Sequence, residues 1–215
     1  NNINIIKINM KVAVIGANGG LGIALVKILQ VNGFNVKAIV RESSIEQIKS
    51  IFPHIEAVSS NPENLVNAFQ DINIVIEVVS NSMRPNGIKN FIEAAEASNV
   101  QIFVACGGAF GLFIDDENKT RLIDVVDGRE NYISMNNMHM EVQNLAFQSN
   151  IPIVFQICPP YMPRDKADYT GNFVPILNKA AGVMQVGYED VASCIVSALS
   201  NPSIYNRGMM GIAQK

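Results

Sequence analysis

The chain has 215 residues, 48% apolar and 16% charged, with three cysteines and no tryptophan; that suits one globular domain around a single large core and excludes a disordered polypeptide. Its 16 basic and 19 acidic residues leave a net charge of −3, without the basic excess that nucleic acid or an anionic membrane surface would attract. Apolar runs such as Ile72 to Val79 and Ile151 to Cys158 have strand length and fall short of the roughly 18 residues of a membrane span.

Asn1 to Asn9 lack the basic start, continuous apolar stretch and cleavage site of a signal peptide, so they read as an extension without function ahead of Met10. From Lys11 onward, short β-branched runs alternate with amphipathic segments, the pattern of a parallel sheet covered on both faces by helices. Strands are expected at Lys11 to Gly16, Asn35 to Val40, Ile55 to Val58, Ile72 to Val79, Gln101 to Cys106 and Pro152 to Ile157. Helices are expected at Leu21 to Val31, Ile45 to Phe52, Pro62 to Phe69, Gly87 to Ser98 and Asn137 to Gln148. Ser43 to Glu46 has capping-box spacing, and Asn32-Gly33 marks a helix stop.

This predicts an α/β, doubly wound parallel sheet of the Rossmann type over residues 11–215, with 1–10 as an extension. After Ile157 the rhythm breaks into Cys158-Pro159-Pro160-Tyr161 and a polar stretch, followed by a helix-like Tyr188 to Ser200 and a final apolar run. In an open parallel sheet ligands sit beyond the carboxyl ends of the strands, so 158–187 is expected to form a small lid on the substrate side.

The first strand runs into Gly16-Ala17-Asn18-Gly19-Gly20-Leu21-Gly22 and then into a helix. In G-x-x-G-x-x-G the first glycine permits the sharp exit from the strand, the second lets a pyrophosphate approach the backbone, and the third lets the helix pack close. Asn18, Gly20 and Leu21 lie in the same anion-facing turn. At the end of the second strand stands Arg41-Glu42-Ser43-Ser44, where such folds inspect the adenosine ribose. Arg41 with the hydroxyls of Ser43 and Ser44 would hold a 2′-phosphate and favour NADP; Glu42 would accept from a free 2′-hydroxyl and favour NAD. NADP is the expectation.

Ordinary short-chain dehydrogenases use Tyr-x-x-x-Lys, in which the lysine lowers the tyrosine pKa. None of Tyr132, Tyr161, Tyr169, Tyr188 and Tyr205 has a lysine four residues on, so alcohol oxidation is disfavoured. His54 and His139 lack neighbours at metal-ligand spacing, and no metal is expected. His139 reads as a solvated or capping histidine, with a place at the border of the pocket as the alternative, and Asp115-Asp116-Glu117 as a solvated loop face. Cys106, Cys158 and Cys194, without a CxxC pair, fit buried reduced thiols of a cytoplasmic protein.

With these residues in hand, the chain resembles the atypical short-chain reductases: the NmrA-like group, the NADH-flavin reductases and the biliverdin-IXβ/flavin reductases. Val104 to Phe110 is similar to their strand-five motif, Gly87 to Ala95 to the helix before it, and Cys158-Pro159-Pro160-Tyr161, Tyr169 to Phe173 and Gly187 to Ala192 to their later segments. The resemblance implies an NAD(P)H-dependent reductase of flavins or other flat conjugated acceptors, monomeric or weakly dimeric, with flavin as substrate rather than as tightly bound cofactor. It further implies that Ser60, Val79, Cys106, Gly107 and Pro160 line the dinucleotide and that Gly108 and Tyr161 meet the acceptor, Tyr161 being the one candidate proton donor. Biliverdin-IXβ reductases carry a serine where this chain has Gly108 and a histidine where it has Tyr161, and the usual Gly-Asp after strand three is Ser59-Ser60-Asn61 here. Because hydride passes directly from nicotinamide to a flavin stacked on it, no dedicated base is required. The glycines at 107 and 108 either leave an open ledge for the acceptor or only allow the loop to turn after strand five, and an NmrA-like sensor that binds dinucleotide without turnover is the alternative function.

Overall fold

A computed structural model of the chain describes residues 10–79, 85–163 and 170–215. Residues 1–9, which include most of the expected extension, and Tyr169 of the family-like segment lie outside the described residues. The elements run β1 (Lys11–Ile15), α1 (Gly20–Val31), β2 (Asn35–Val40), α2 (Ile45–Ile51), β3 (Glu56–Ser59), α3 (Leu65–Ala68), β4 (Ile74–Glu77), α4 (Asn86–Ala97), β5 (Ile102–Cys106), α5 (Leu122–Val125), α6 (Ile133–Phe147), β6 (Ile153–Ile157), β7 (Phe173–Leu177), α7 (Tyr188–Ala198) and β8 (Met209–Gln214). Among the described residues, none of these helices is long and apolar enough to cross a membrane.

The described strands form one eight-stranded sheet in the order β3-β2-β1-β4-β5-β6-β8-β7. All pairs are parallel except β7 with β8. Because side chains alternate along a strand, each central strand feeds two cores. Val12, Val14, Ile74, Ile76, Ile102 and Val104 point to the layer of α1, α2 and α7, whereas Ala13, Ile15, Val75 and Phe103 point to that of α3, α4 and α6. Both faces are therefore covered, and the strands read as unbroken apolar runs.

The glycine stop after α1 forms as expected. Gly33 has φ +83°, its N–H donates to the Gln30 carbonyl at 3.0 Å, and that of Phe34 donates to Leu29 at 3.1 Å, the paired bonds of a Schellman motif. The expected Ser43–Glu46 capping box does not form. A 3-10 turn over Glu42–Ser44 precedes α2, no side chain caps that helix, and the buried Ser44 hydroxyl is engaged by Asn18 instead. Helix α6 begins at Ile133, before the expected Asn137.

Strand β7 is not among the expected strands; it contains Pro175, which cannot donate to a ladder and is tolerated because β7 lies at the sheet edge. Cys106, Cys158 and Cys194 are all buried thiols. Burial pushes the Cys194 thiol up to about 12, so it stays protonated at neutral pH.

Candidate dinucleotide site

The order β3-β2-β1-β4-β5 reverses direction between β1 and β4, which opens a crevice at the carboxyl ends of those strands. The turn from β1 into α1 lines it. Gly16 leaves the strand at φ +84°, and a Cβ there would stand 3.1 Å from the Val78 backbone. At Gly22 a Cβ would fall 2.2 Å from the Gly16 carbonyl oxygen, so glycine here is required by the backbone itself. Gly19 differs: a Cβ would meet nothing nearer than 3.4 Å. No packing reason excludes a side chain at Gly19, and the open space beside it suits an approaching ligand.

The turn is built as an anion site. Gly19 N–H donates to Gly16 at 3.0 Å, and Ile23 N–H closes the first helical bond onto Gly19 at 2.8 Å. The three N–H groups before Ile23 have no acceptor within the helix, and the first turn of α1 carries neither an acidic residue nor a side-chain cap. The positive end of a 12-residue helix thus faces the crevice.

Gly16, Asn18, Gly19, Arg41, Ser60 and Val79, six of the residues expected to bind the dinucleotide, line this single cleft of about 300 Å³. Arg41 is exposed and, among the described residues, has no carboxylate partner. Ser44 stands behind the turn: Asn18 Nδ2 donates to its hydroxyl at 3.2 Å, leaving Arg41 and the exposed Glu42 and Ser43 at the rim. Leu21 belongs to the core, so only its backbone is available to a ligand. A Cβ on Gly20 would fall 2.6 Å from the Tyr188 ring; this glycine makes room for the first residue of α7, a role absent from its sequence reading.

The expected ledge at Gly107 and Gly108 is corrected. A Cβ on Gly107 would meet the Gln156 side chain at 2.6 Å, and one on Gly108 would meet His139 Nδ1 at 2.8 Å. Protein side chains occupy both spaces. His139 is buried, contrary to the solvated reading, and its carbonyl accepts from Gln156 Nε2 at 2.8 Å.

Beyond the ends of β5 and β6 lies a second cleft of about 290 Å³, lined by Ala109, Leu112, Leu122, Cys158, Pro160 and Met184 among others. Pro160, expected on the dinucleotide, lines this apolar cleft and not the first one. Loop 113–114 and the segment after β7 are tied together, Phe113 N–H donating to Asn178 at 2.9 Å and Ala180 N–H to Phe113 at 2.8 Å. Tyr161 is part of this lid through its backbone: its carbonyl accepts from Val186 at 3.1 Å, while the residue is 68% exposed. Thr170 and Gly171 of the lid are fastened to α7, where buried Asp190 accepts their backbone N–H groups at 3.0 to 3.2 Å and the Thr170 hydroxyl at 2.9 Å. In the acidic run, Asp115 accepts from the backbone N–H groups of Lys119 and Thr120; these bonds lower its pKa to about 2, which suits a loop brace and not an acid-base group.

One residue at the carboxyl end of β4 escaped sequence reasoning. Glu77 ends β4 fully buried, its Oε1 accepting from Val79 N–H at 2.8 Å and its Oε2 from Cys106 N–H at 3.2 Å. In sequence it sits inside the apolar run from Ile72 to Val79 and passes for one strand position; the available signal was a lone carboxylate at the carboxyl end of a central strand.

The model of the NAD(P)H-binding family matches residues 16–202. The chain belongs to that family. It is similar to YwnB of Bacillus subtilis, an uncharacterized protein, with 25% identity over 218 aligned positions that cover 92% of this chain and 95% of YwnB. Among solved structures it is similar to a candidate NADH-flavin reductase from Streptococcus pneumoniae, at 24% identity and a TM-score of 0.76, covering 96% of this chain and all of that one. It is also similar to a candidate epimerase from Bacteroides thetaiotaomicron, at 22% identity and a TM-score of 0.78, covering 95% and 96% of the two chains. These structural likenesses establish the fold.

Proposed function

We propose that this protein is an NAD(P)H-dependent reductase that passes hydride to a flavin or another flat conjugated acceptor, with NADPH as the preferred donor. The observation that carries the proposal is the pairing of two clefts on one sheet edge, a glycine-lined one at the phosphate turn and an apolar one beyond β5 and β6. A dinucleotide whose diphosphate lies on the start of α1 extends along that edge, and an apolar cleft suits a planar ring system. The likeness to a candidate NADH-flavin reductase agrees with this reading.

Bound NAD(P)H would supply the hydride. The chain's own part is to bind and orient: the backbone N–H groups of Gly20, Leu21 and Gly22 take the diphosphate, and Arg41 takes the 2′-phosphate bidentately. The apolar lining of the second cleft excludes water from an acceptor held there, and no side-chain base is needed for transfer between stacked rings. The absence of Tyr-x-x-x-Lys turns the reading away from alcohol oxidation.

The test is NADPH oxidation across a panel of FMN, FAD, riboflavin, quinones and linear tetrapyrroles, with NADPH and NADH affinities measured alongside. Turnover with at least one flat acceptor is expected. Tight NADPH binding without turnover on any of them would replace this reading with the dinucleotide sensor.

A further inference from the structure

Along most of their length β4 and β5 are joined by an ordinary parallel ladder, in which Ile74, Val75 and Ile76 pair with Ile102, Phe103 and Val104. The ladder ends there. Strand β5 continues to Cys106 against β6, while β4 continues only its ladder with β1, Val78 N–H donating to the Ile15 carbonyl at 2.9 Å. The two strands splay at the crevice, and the last N–H of β5 no longer finds a carbonyl of β4. Glu77 spans the gap: one carboxylate oxygen takes the buried Cys106 N–H and the other takes the part-buried Val79 N–H.

We propose that Glu77 is a positioning residue for the nicotinamide half of the dinucleotide, its carboxylate fixing the splayed ends of β4 and β5 on which that half rests. The inference rests on the dinucleotide reading of the crevice. The adenosine half depends on other groups, since Arg41 and Ser60 stand at the ends of β2 and β3. Val79 and Cys106 stand across β1 from them, on the side that leads to the apolar cleft.

The side chain must accept twice. Glutamine offers one carbonyl oxygen, and its NH₂ would face an N–H donor, so one backbone group is released. Aspartate keeps the charge but is one methylene too short to reach both donors. Either change lets a strand end shift relative to the ring it supports, and sites of this kind tolerate only about half an ångström of error.

The experiment measures binding of NADPH and of 2′-phospho-ADP-ribose, which lacks the nicotinamide, to wild type, Glu77→Gln and Glu77→Asp, with NADH and ADP-ribose as a parallel pair. Both variants are expected to bind NADPH about tenfold more weakly while holding 2′-phospho-ADP-ribose within about twofold of wild type. That split is also the folding control, since the adenosine half binds only a formed crevice. Equal weakening of both ligands, no weakening of either, or failure of both variants to fold would overturn the proposal and leave Glu77 as a structural brace. Wild type binding neither pair would instead overturn the dinucleotide reading itself.

Discussion

The two clefts on the carboxyl edge are nearly equal in volume, about 300 and 290 Å³, and differ in make-up. The first joins the backbone of Gly16 and Gly19 and polar groups at Asn18, Arg41 and Ser60 to apolar residues such as Ile15, Val40 and Phe91. The second is chiefly side chain, contributed by segments far apart in sequence, from Ala109 to Ile212. A site made of backbone constrains residue identity strongly, because only glycine permits the turn; a site made of apolar side chains constrains little beyond hydrophobicity. The first can therefore be dismantled one atom at a time, and the second yields only to changes of polarity or bulk.

Substitutions within the phosphate turn should have the largest effects and should divide fold from ligand. Gly22→Ala drives a Cβ to 2.2 Å from the Gly16 carbonyl oxygen, an overlap neither backbone segment can relieve cheaply. A loss of about 3 kcal/mol is expected, read as a fall in Tm of roughly 6 to 12 °C. Gly19→Val, with no neighbour closer than 3.4 Å to its Cβ, should leave Tm unchanged and weaken dinucleotide binding by about 100-fold or more, since the branched side chain takes the diphosphate's place. Undiminished binding in Gly19→Val would remove the phosphate-turn assignment.

At the rim of the same cleft, Arg41→Ala should cost about 1.5 to 3 kcal/mol toward NADPH, or roughly 10- to 150-fold in Kd, with little change for NADH. Equal effects on both dinucleotides would transfer the ribose contact to Glu42 and reverse the expected preference.

The contrast between backbone and side chain also explains what sequence could and could not reveal. Gly16, Gly19 and Gly22 announce themselves by spacing, and β1 to β6 announce themselves by apolar runs that both cores require. Gly107 and Gly108 looked equally informative, yet their missing Cβ atoms make room for Gln156 and His139, residues some 30 to 50 positions away that periodicity cannot bring to them. Glycine shows that something comes close; it does not show whether that is ligand or protein. Gly108→Leu should accordingly lower stability through the collision with His139, where an open ledge would have affected only the acceptor. Glu77 was hidden for the converse reason, as a charge inside an apolar run is visible while the splay of β4 from β5 that gives it two donors is tertiary.

For the apolar cleft, Met184→Asp is the gentlest probe, because Met184 is 80% exposed and can change without disturbing the core. A carboxylate on the rim should raise KM for a flat acceptor roughly three- to tenfold, leave kcat nearly unchanged and leave NADPH affinity alone. An unaltered KM would place the acceptor elsewhere on the edge.

Tyr161→Phe should have the smallest effect and decides whether the second cleft contributes any proton chemistry. The residue is anchored by main-chain pairing to Gln185 and Val186, which the substitution preserves, and at 68% exposure its side chain is held by little else. Among the described residues no group bonds to its hydroxyl, and no lysine stands four positions on. Both kcat and KM are therefore expected to stay within about twofold of wild type, the ring serving at most as lid surface. A fall in kcat of about tenfold or more at unchanged KM would mean that the hydroxyl reaches the acceptor only in the turnover complex, and the second cleft would then be a site of proton delivery as well as of stacking.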